Sequence, residues 1–155
     1  MVKVIGLGER GCGIADEFQD YPEYRIYKID TNIKERASLS LDDFGDIQGY
    51  EEEVDPQEVG SYLRSVKEKD PVLFIVGGGE PISGASLVIL EQIRDADITL
   101  VYVKPDLEIC TAEQKRDDKI VFGILQEYAR SGLFEKMFVI DTTKVEEMIG
   151  DVAIR

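Results

Sequence analysis

Short apolar runs separated by longer amphipathic segments set the pattern of this chain. Three runs are rich in β-branched residues and almost continuously apolar, which is typical of strands covered on both faces of a parallel sheet: Val2–Leu7, Val72–Val76 and Ile98–Val103. Arg25–Ile29 and Met137–Ile140 predict two further strands. Because the segments between the runs have helical periodicity, the predicted order is strand, helix, strand, repeated along the chain.

Capping residues predict where the helices begin. Asp55 resembles a helix cap, with Pro56 at the first helical position and Glu58 at the third. This pattern predicts a helix that runs to about Lys69. A second helix is predicted to begin near Ser83 to Ser86 and to end at about Ala96.

A longer helix is predicted after Thr111–Gln114, which resembles a capping box. This helix should end at Ser131-Gly132, and its apolar residues should form one core face: Ile120, Val121, Ile124, Leu125 and Tyr128. The segment Asn32–Glu53 has scattered apolar residues among many acidic ones, and we expect a long loop with at most a short helix or strand.

The predicted fold is a three-layer, doubly wound α/β domain with a mostly parallel sheet, because parallel strands joined by right-handed helical crossovers stack in this way. The length of 155 residues corresponds to one domain, and no linker rich in Gly or Ser divides residues 1–155.

The charge balance favours protein partners over polyanions. The chain has 18 Lys and Arg against 32 Asp and Glu, a formal net charge of −14. Nucleic acid and anionic membrane surfaces should repel such a chain, whereas a partner with a basic face should attract it. No apolar run approaches the roughly 20 residues of a membrane span, and the N-terminal run lacks the features of a signal peptide, so a cytoplasmic protein is expected.

The sequence excludes several kinds of catalytic site. It contains no histidine, which removes His-dependent triads and His-containing zinc sites. The two cysteines, Cys12 and Cys110, suit neither a disulfide framework nor a four-ligand metal site, and reduced thiols are expected. The paired acids Asp42-Asp43 and Asp117-Asp118 lack a metal-loop pattern and predict a solvated acidic face.

Two clusters of glycine stand between a predicted strand and a predicted helix. They comprise Gly6, Gly8, Gly11 and Gly13, and then Gly77, Gly78, Gly79 and Gly84. Glycine allows backbone N–H groups to approach a ligand, and a helix N-terminus favours anions, so both clusters suit phosphate. The same glycines also serve to turn the chain and to pack helix against strand, and both interpretations stay open.

One interpretation of the first cluster is a dinucleotide fingerprint. Gly6-x-Gly8-x-x-Gly11 follows a strand, and Asp30 ends the next strand, where it would bond the ribose of NAD. This interpretation leaves the second cluster, Gly77-Gly78-Gly79, unexplained.

The two clusters together resemble the Rossmann-like nucleotide-binding domain of the tubulin/FtsZ family. Val4-Ile5-Gly6-Leu7-Gly8 resembles the first glycine loop of that family, and Gly77-Gly78-Gly79 with Ser83-Gly84-Ala85 resembles its signature loop. The resemblance implies that GTP or GDP, with or without Mg²⁺, binds between the two loops. The implied site residues are Gly8, Arg10, Gly11, Cys12, Gly13, Asp30, Gly77, Gly78, Gly79, Glu80, Ser83, Gly84, Glu113 and Arg116.

The chain departs from the signature of that family at Glu80-Pro81. Glu80 would bring a carboxylate towards a phosphate, a repulsion of roughly 1 to 4 kcal/mol at contact distance unless a metal ion intervenes. Pro81 removes one N–H donor, whereas Arg10 could offset part of the charge. Cys12 could be a nucleophile at a helix N-terminus, or simply a small residue in a tight turn, which is the interpretation that we favour.

The family has a long central helix, an acidic loop that completes hydrolysis and a second domain, and we expect this chain to lack all three, because only Lys144–Arg155 remains after the final strand turn. Efficient GTPase activity is therefore not expected. The resemblance implies a nucleotide-binding module. The alternative is a degenerate member that has lost the ligand and acts as a structural or adaptor subunit, through self-association or a protein partner.

Overall fold

The computed structural model describes residues 1–134 and 136–141. The strands are β1 Val2–Leu7, β2 Tyr24–Thr31, β3 Leu39–Leu41, β4 Pro71–Gly77, β5 Asp97–Lys104 and β6 Lys136–Asp141. The helices are α1 Gly8–Asp16, α2 Ile47–Glu53, α3 Pro56–Tyr62, α4 Ser86–Gln92 and α5 Ala112–Ser131, and a 3₁₀ turn spans Pro81–Ala85.

Within these residues the strands form one six-stranded parallel sheet in the order β3-β2-β1-β4-β5-β6. The direction of strand progression reverses between β1 and β4, which pair from Lys3 with Val72 to Leu7 with Val76. In doubly wound sheets this reversal opens a crevice at the carboxyl ends of the strands, where ligands bind. The predicted α/β class and parallel sheet are confirmed.

Apolar side chains cover both faces of the sheet. Against α1, the face is formed by a small cluster around Val4, Ala15 and Ile75. The opposite face carries a larger cluster, to which β4 contributes Phe74 and α5 contributes Leu125, both fully buried. Burial of a side chain of this size stabilises a fold by roughly 1.5 to 3 kcal/mol, so this cluster anchors the carboxyl ends of the central strands.

The helix that begins at Asp55 is shorter than predicted. The Asp55 side chain accepts a hydrogen bond from the Gln57 N–H, as the capping pattern predicts, but α3 ends at Tyr62 instead of about Lys69. Ser65 is held by the sheet, because its carbonyl oxygen accepts a hydrogen bond from Lys3 Nζ and its hydroxyl bonds to Tyr27. These contacts with β1 and β2 override the local helical pattern.

The next predicted helix also ends early. It begins as the 3₁₀ turn and continues as α4, which ends at Gln92 rather than at about Ala96. Beyond α4 the chain makes two tight turns, in which Ile93 N donates to Leu90 O and Ala96 N donates to Ile93 O. Asp97 N then donates to Asp70 O at the start of β5.

The segment Asn32–Glu53 is more ordered than predicted, since it contains both a strand and a helix. Asp46 caps α2 by accepting a hydrogen bond from Gly49 N, and Ile47 and Tyr50 are buried. The three residues of β3 pair with the end of β2. The apolar residues here are few, but each of these two faces the core.

The last described helix follows its predicted boundaries. Thr111 and Gln114 form the complete capping box of α5, and Gly132 ends the helix with φ of 82°. Val121 and Leu125 are buried as predicted, but Ile120 is 43% exposed, so the predicted core face is one residue too wide.

No helix within residues 1–134 and 136–141 combines the length and apolar character that crossing a membrane requires. The stretch Lys144–Arg155, on which the expected absence of a long central helix depends, lies outside the described residues. A single domain over residues 1–155 therefore stays a prediction.

Candidate functional site

The first glycine cluster is not a loop, because β1 passes directly into α1. Leu7 is the last residue of the strand and the N-cap of the helix, and Gly8 begins the helix with φ of +79°. A positive φ is disfavoured for residues with a Cβ, so this abrupt strand-to-helix turn requires glycine. As a result, the first N–H groups of α1 point towards the carboxyl edge of the sheet.

Gly6 and Gly11 are needed for close packing between α1 and the sheet. A Cβ on Gly6 would overlap the carbonyl of Gly11, and a Cβ on Gly11 would overlap the carbonyl oxygen of Ile75 in β4. By contrast, Gly13 is exposed, and a Cβ there would meet no atom of the described chain within 4 Å. Packing therefore explains part of the first cluster without any ligand.

The second glycine cluster ends β4 and turns the chain back towards α1. Gly78 N donates to Val103 O at 2.9 Å, and Gly79 has φ of +78°. A Cβ on Gly78 would overlap the Tyr102 hydroxyl and the Asp118 carboxylate. The tight fit at Gly78 and the positive φ of Gly79 place Glu80 beside the start of α1.

The carboxylate of Glu80 lies between the two glycine clusters. Its Oε1 accepts a hydrogen bond of 2.7 Å from the Glu9 N–H in the first turn of α1. A Cβ on Gly8 would come within 2.8 Å of Oε1, and a Cβ on Gly77 would overlap Oε2. Arg10, the residue expected to offset charge here, donates from its guanidinium to Gly78 O.

Burial controls the ionisation of Glu80. It raises the pKa of this carboxyl from 4.5 to about 7, although the hydrogen bond from Glu9 N–H and the positive charge of Arg10 act in the opposite direction. The negative charge of Asp30 adds to the rise. Among the described residues, Oε2 of Glu80 is buried and has no hydrogen-bond partner. One oxygen of the carboxyl is thus satisfied and the other is not.

An open cleft of about 510 Å³ lies beside Glu80 at the carboxyl edge of the sheet. Its lining residues come from α1, β2, the segment before α2, α2, the turn after β4 and α5: Glu9, Asp30, Thr31, Asp43, Gly45, Tyr50, Gly79, Glu80, Pro81, Ile82 and Gln114. Four of these are acidic, so the wall of the cleft carries negative charge.

Asp30 stands at the end of β2 on the wall of this cleft. Burial raises its pKa, and its Oδ1 accepts a hydrogen bond of 2.8 Å from Thr31 N. Thr31 Oγ1 and the Tyr50 hydroxyl are 2.7 Å apart, and this hydrogen bond ties α2 to the end of β2. Asp43 accepts hydrogen bonds from Gly45 N and from the Tyr50 hydroxyl.

The structure brings part of the predicted site together. Asp30, Gly79 and Glu80 line the cleft, while Gly8, Arg10 and Gly77 surround the Glu80 carboxylate. Glu113 and Arg116 are exposed and do not line it, whereas their neighbour Gln114 does. Ser83 and Gly84 are structural supports: Ser83 Oγ donates to Gly77 O at 2.5 Å, and a Cβ on Gly84 would overlap the Ile47 carbonyl.

Sequence reasoning missed several residues of the cleft. Glu9, Thr31, Asp43, Tyr50 and Gln114 all line it. The signal that could have indicated Gln114 is its place in the capping box, which fixes the start of α5 against the second glycine cluster. No comparable signal marks Tyr50, because α2 was not predicted.

Cys12 does not have the environment of a nucleophile. It is buried, its Sγ lies 3.4 Å from Gly6 O and 3.5 Å from Ile29 O, and burial raises the pKa of the thiol to about 12. A thiol with this pKa is protonated at neutral pH and reacts slowly. The preferred interpretation, a small residue in a tight turn, agrees with this environment.

Asp118 corrects the prediction of a solvated acidic face. It is 9% exposed, and its carboxylate accepts a hydrogen bond from the Tyr102 hydroxyl. This bond and burial both raise the pKa of Tyr102. Within the described part of the chain, no group of three or more Asp, Glu, Cys or His residues is placed to hold a metal ion.

The space between the two glycine clusters, bounded by the Glu9 N–H, Gly8 and Gly77, is here termed the anion cradle. The Glu80 carboxylate occupies it. The N–H of Glu9 is bonded to Glu80, and the space above Gly8 and Gly77 is filled by the Glu80 carboxylate. With Glu80 in this position, the Glu9 N–H already has an acceptor.

Taken together, the strand order, the direct β1-to-α1 junction and the turn after β4 define a tubulin/FtsZ-like α/β fold, as the resemblance of the sequence implies. The structure is similar to that of TubZ from Bacillus thuringiensis serovar israelensis, solved as GDP-form protofilaments, with a TM-score of 0.69 and 16% identity. The match covers 98% of this chain and 48% of the TubZ chain, so this chain spans about half the length of TubZ. At this identity the likeness shows the fold alone.

An azoreductase from Bacillus anthracis str. Sterne aligns with a TM-score of 0.37 and 11% identity, over 97% of this chain and 94% of its own. That score carries no argument about fold or function. No protein-family model and no curated protein sequence matches the chain.

Proposed function

We propose that this chain is a nucleotide-binding domain of the tubulin/FtsZ type, which takes the phosphate groups of GTP or GDP at the carboxyl ends of β1 and β4. The observation that carries the proposal is the cleft of about 510 Å³ at the point where strand order reverses, beside the N-terminus of α1. Helix N-termini at such points favour anions because their first N–H groups lack partners within the helix.

The likeness to TubZ supports the same proposal. TubZ was solved in a GDP form, and its fold extends over nearly the whole of this chain. The purine and ribose would occupy the open cleft, where Asp30, Tyr50 and Gln114 provide hydrogen-bonding groups. A divalent cation would reduce repulsion between the phosphates and the acidic lining, so Mg²⁺ belongs in the assay.

A second candidate is a nucleotide-free role as a structural or adaptor subunit. The position of Glu80 favours it, because this carboxylate occupies the anion cradle without any ligand. TubZ forms protofilaments, which supports association of this fold with copies of itself. In this case the sheet and helices serve assembly, and Glu80 keeps the space between the glycine clusters filled.

A thermal unfolding series separates the two candidates. The protein is heated alone and with GTP, GDP, ATP or NAD, each with and without Mg²⁺. A ligand at 100 times its dissociation constant stabilises the folded state by about 2.7 kcal/mol, which corresponds to roughly 5 to 10 °C for a chain of this length. A shift with guanine nucleotides supports the first candidate, and a shift with NAD alone supports a dinucleotide site at Asp30.

The assembly role is tested by sedimentation at several protein and salt concentrations. Self-association of a chain with net charge −14 should strengthen as salt screens the repulsion between copies. Association with a partner that has a basic face should weaken under the same conditions. A monomer at all concentrations contradicts self-association, and the absence of a thermal shift with every nucleotide contradicts the first candidate.

A further inference from the structure

Three features distinguish the position of the Glu80 side chain. Its Oε1 holds the Glu9 N–H at the start of α1, its Oε2 is buried without a hydrogen-bond partner among the described residues, and it fills the space above Gly8 and Gly77. A purely structural cap would have both oxygens satisfied, since a buried acceptor without a partner destabilises the folded state. The free energy lost by burying the unpartnered Oε2 is therefore regained when the carboxylate leaves this position.

Resting on the nucleotide-binding function proposed above, we propose that Glu80 is an internal competitor for the phosphate groups of the ligand. In the closed arrangement its carboxylate occupies the anion cradle of α1. When the side chain withdraws, the Glu9 N–H is free to donate a hydrogen bond to phosphate in its place, beside the positive charge of Arg10. The affinity of the site for phosphate is then set by the displacement of Glu80.

The geometry gives the side chain a place to go. Glu80 has extended backbone angles, φ of −105° and ψ of 127°, and it precedes Pro81 in the 3₁₀ turn. Glu80 itself lines the open cleft of about 510 Å³. Rotation about its side-chain bonds would carry the carboxylate out of the cradle towards the solvent side of this cleft and leave the cradle to phosphate.

Charged groups on every neighbouring element decide how firmly Glu80 stays. From α1, the charge of Arg10 and main-chain hydrogen bonds from Glu9 and Arg10 favour the carboxylate, whereas Asp30 of β2 repels it. Glu9 and Asp43 add negative charge to the same cleft. The side that α5 presents carries the neutral Gln114. Because burial, together with the repulsion from Asp30, outweighs these favourable interactions, Glu80 gains a proton as pH falls through about 7. A protonated carboxyl competes poorly for an N–H donor, so anion binding should strengthen.

The first arm of the experiment measures GDP binding at about pH 8, with Mg²⁺, by titration calorimetry on the wild-type chain and on Glu80→Ala. Glu80→Gln is the second variant, in case the smaller side chain destabilises the fold. Glu9→Gln is the charge-matched control, because it removes one carboxylate of the cleft and leaves Glu80 in place. Glu80→Ala should bind GDP at least about tenfold more tightly than wild type, and Glu9→Gln should gain less.

The second arm follows sulfate binding between about pH 8 and pH 6, since the charge of sulfate does not change in this range. Wild-type affinity should rise as the pH falls, whereas Glu80→Ala should show a flatter profile. The stability of the unliganded chain, measured in the same buffers, reports whether each variant is folded.

Each outcome has a distinct meaning. Equal GDP affinity in wild type and both Glu80 variants overturns the competition and leaves nucleotide binding standing. A gain in Glu9→Gln as large as in Glu80→Ala also overturns it, because the effect is then one of general charge. If no folded variant binds GDP or sulfate, the proposed function itself fails, and the competitor role fails with it.

Discussion

Replacing Glu80 by glutamine should stabilise the unliganded protein at alkaline pH. The amide oxygen of the variant can still accept the hydrogen bond from Glu9 N–H, so the substitution removes the buried charge and little else. In the folded chain the pKa of Glu80 is raised from 4.5 to about 7. The folded state therefore binds more protons than the unfolded state between these values, and stability falls as the pH rises through this window.

The magnitude follows from the same two values. Integrating the proton linkage between pH 5 and pH 8 gives a loss of about 2 to 3 kcal/mol for wild type that Glu80→Gln does not suffer. For a chain of this length, that difference corresponds to roughly 5 to 10 °C in melting temperature. The variant should thus melt well above wild type at pH 8 and only slightly above it at pH 5.

The assay is urea denaturation of both proteins across this pH range, followed by circular dichroism. Taking the difference between the two proteins at each pH removes the contribution of the other titrating groups to first order. Glu9→Gln is the control, since Glu9 is exposed and water screens its charge. Parallel stability curves for wild type and Glu80→Gln would refute the argument that burial raises the pKa of this carboxyl.

Substitutions at four further positions test packing, helix capping and a buried hydrogen bond by denaturation. Gly11→Ala should cost about 1 to 3 kcal/mol, because its methyl group meets a β4 carbonyl, whereas Gly13→Ala should gain up to about 1 kcal/mol in open space; equal effects would contradict the packing argument. Thr111→Ala should cost about 1 kcal/mol through loss of the α5 cap, and Thr111→Ser should restore it. Tyr102→Phe removes the hydroxyl that bonds Asp118 and should cost about 1 to 3 kcal/mol; no loss would show that water replaces it.

Local sequence signals predicted the elements whose cause is local. The capping box at Thr111 and the β-branched run of β1 act within a few residues, and both were found at their predicted positions. The three residues of β3 are too few to show a period of two, and their pairing with the distant end of β2 creates the strand. The early end of α3 likewise depends on contacts of Ser65 with strands far away in the chain.

The candidate site likewise has residues that local sequence signals identify and residues that only tertiary contacts bring together. The sequence identified Glu80, with Pro81, as the point where the chain departs from the signature of the tubulin/FtsZ family. Whether its carboxylate points outwards or back onto α1 depends on the positive φ of Gly79 and on how closely β4 and α1 approach. Cleft residues such as Tyr50 come from an element that has no strong local pattern, so only tertiary structure reveals them.

The pairing of β1 with β4 has a consequence for how the chain folds. Lys3 is in register with Val72, and the polypeptide between them forms β2, β3 and three helices. During synthesis, one edge of β1 stays without its neighbour until β4 has emerged, so the sheet cannot close early. Such non-local pairing predicts a slow folding step and a transient, adhesive strand edge, which the high negative charge of the chain helps to keep from aggregating.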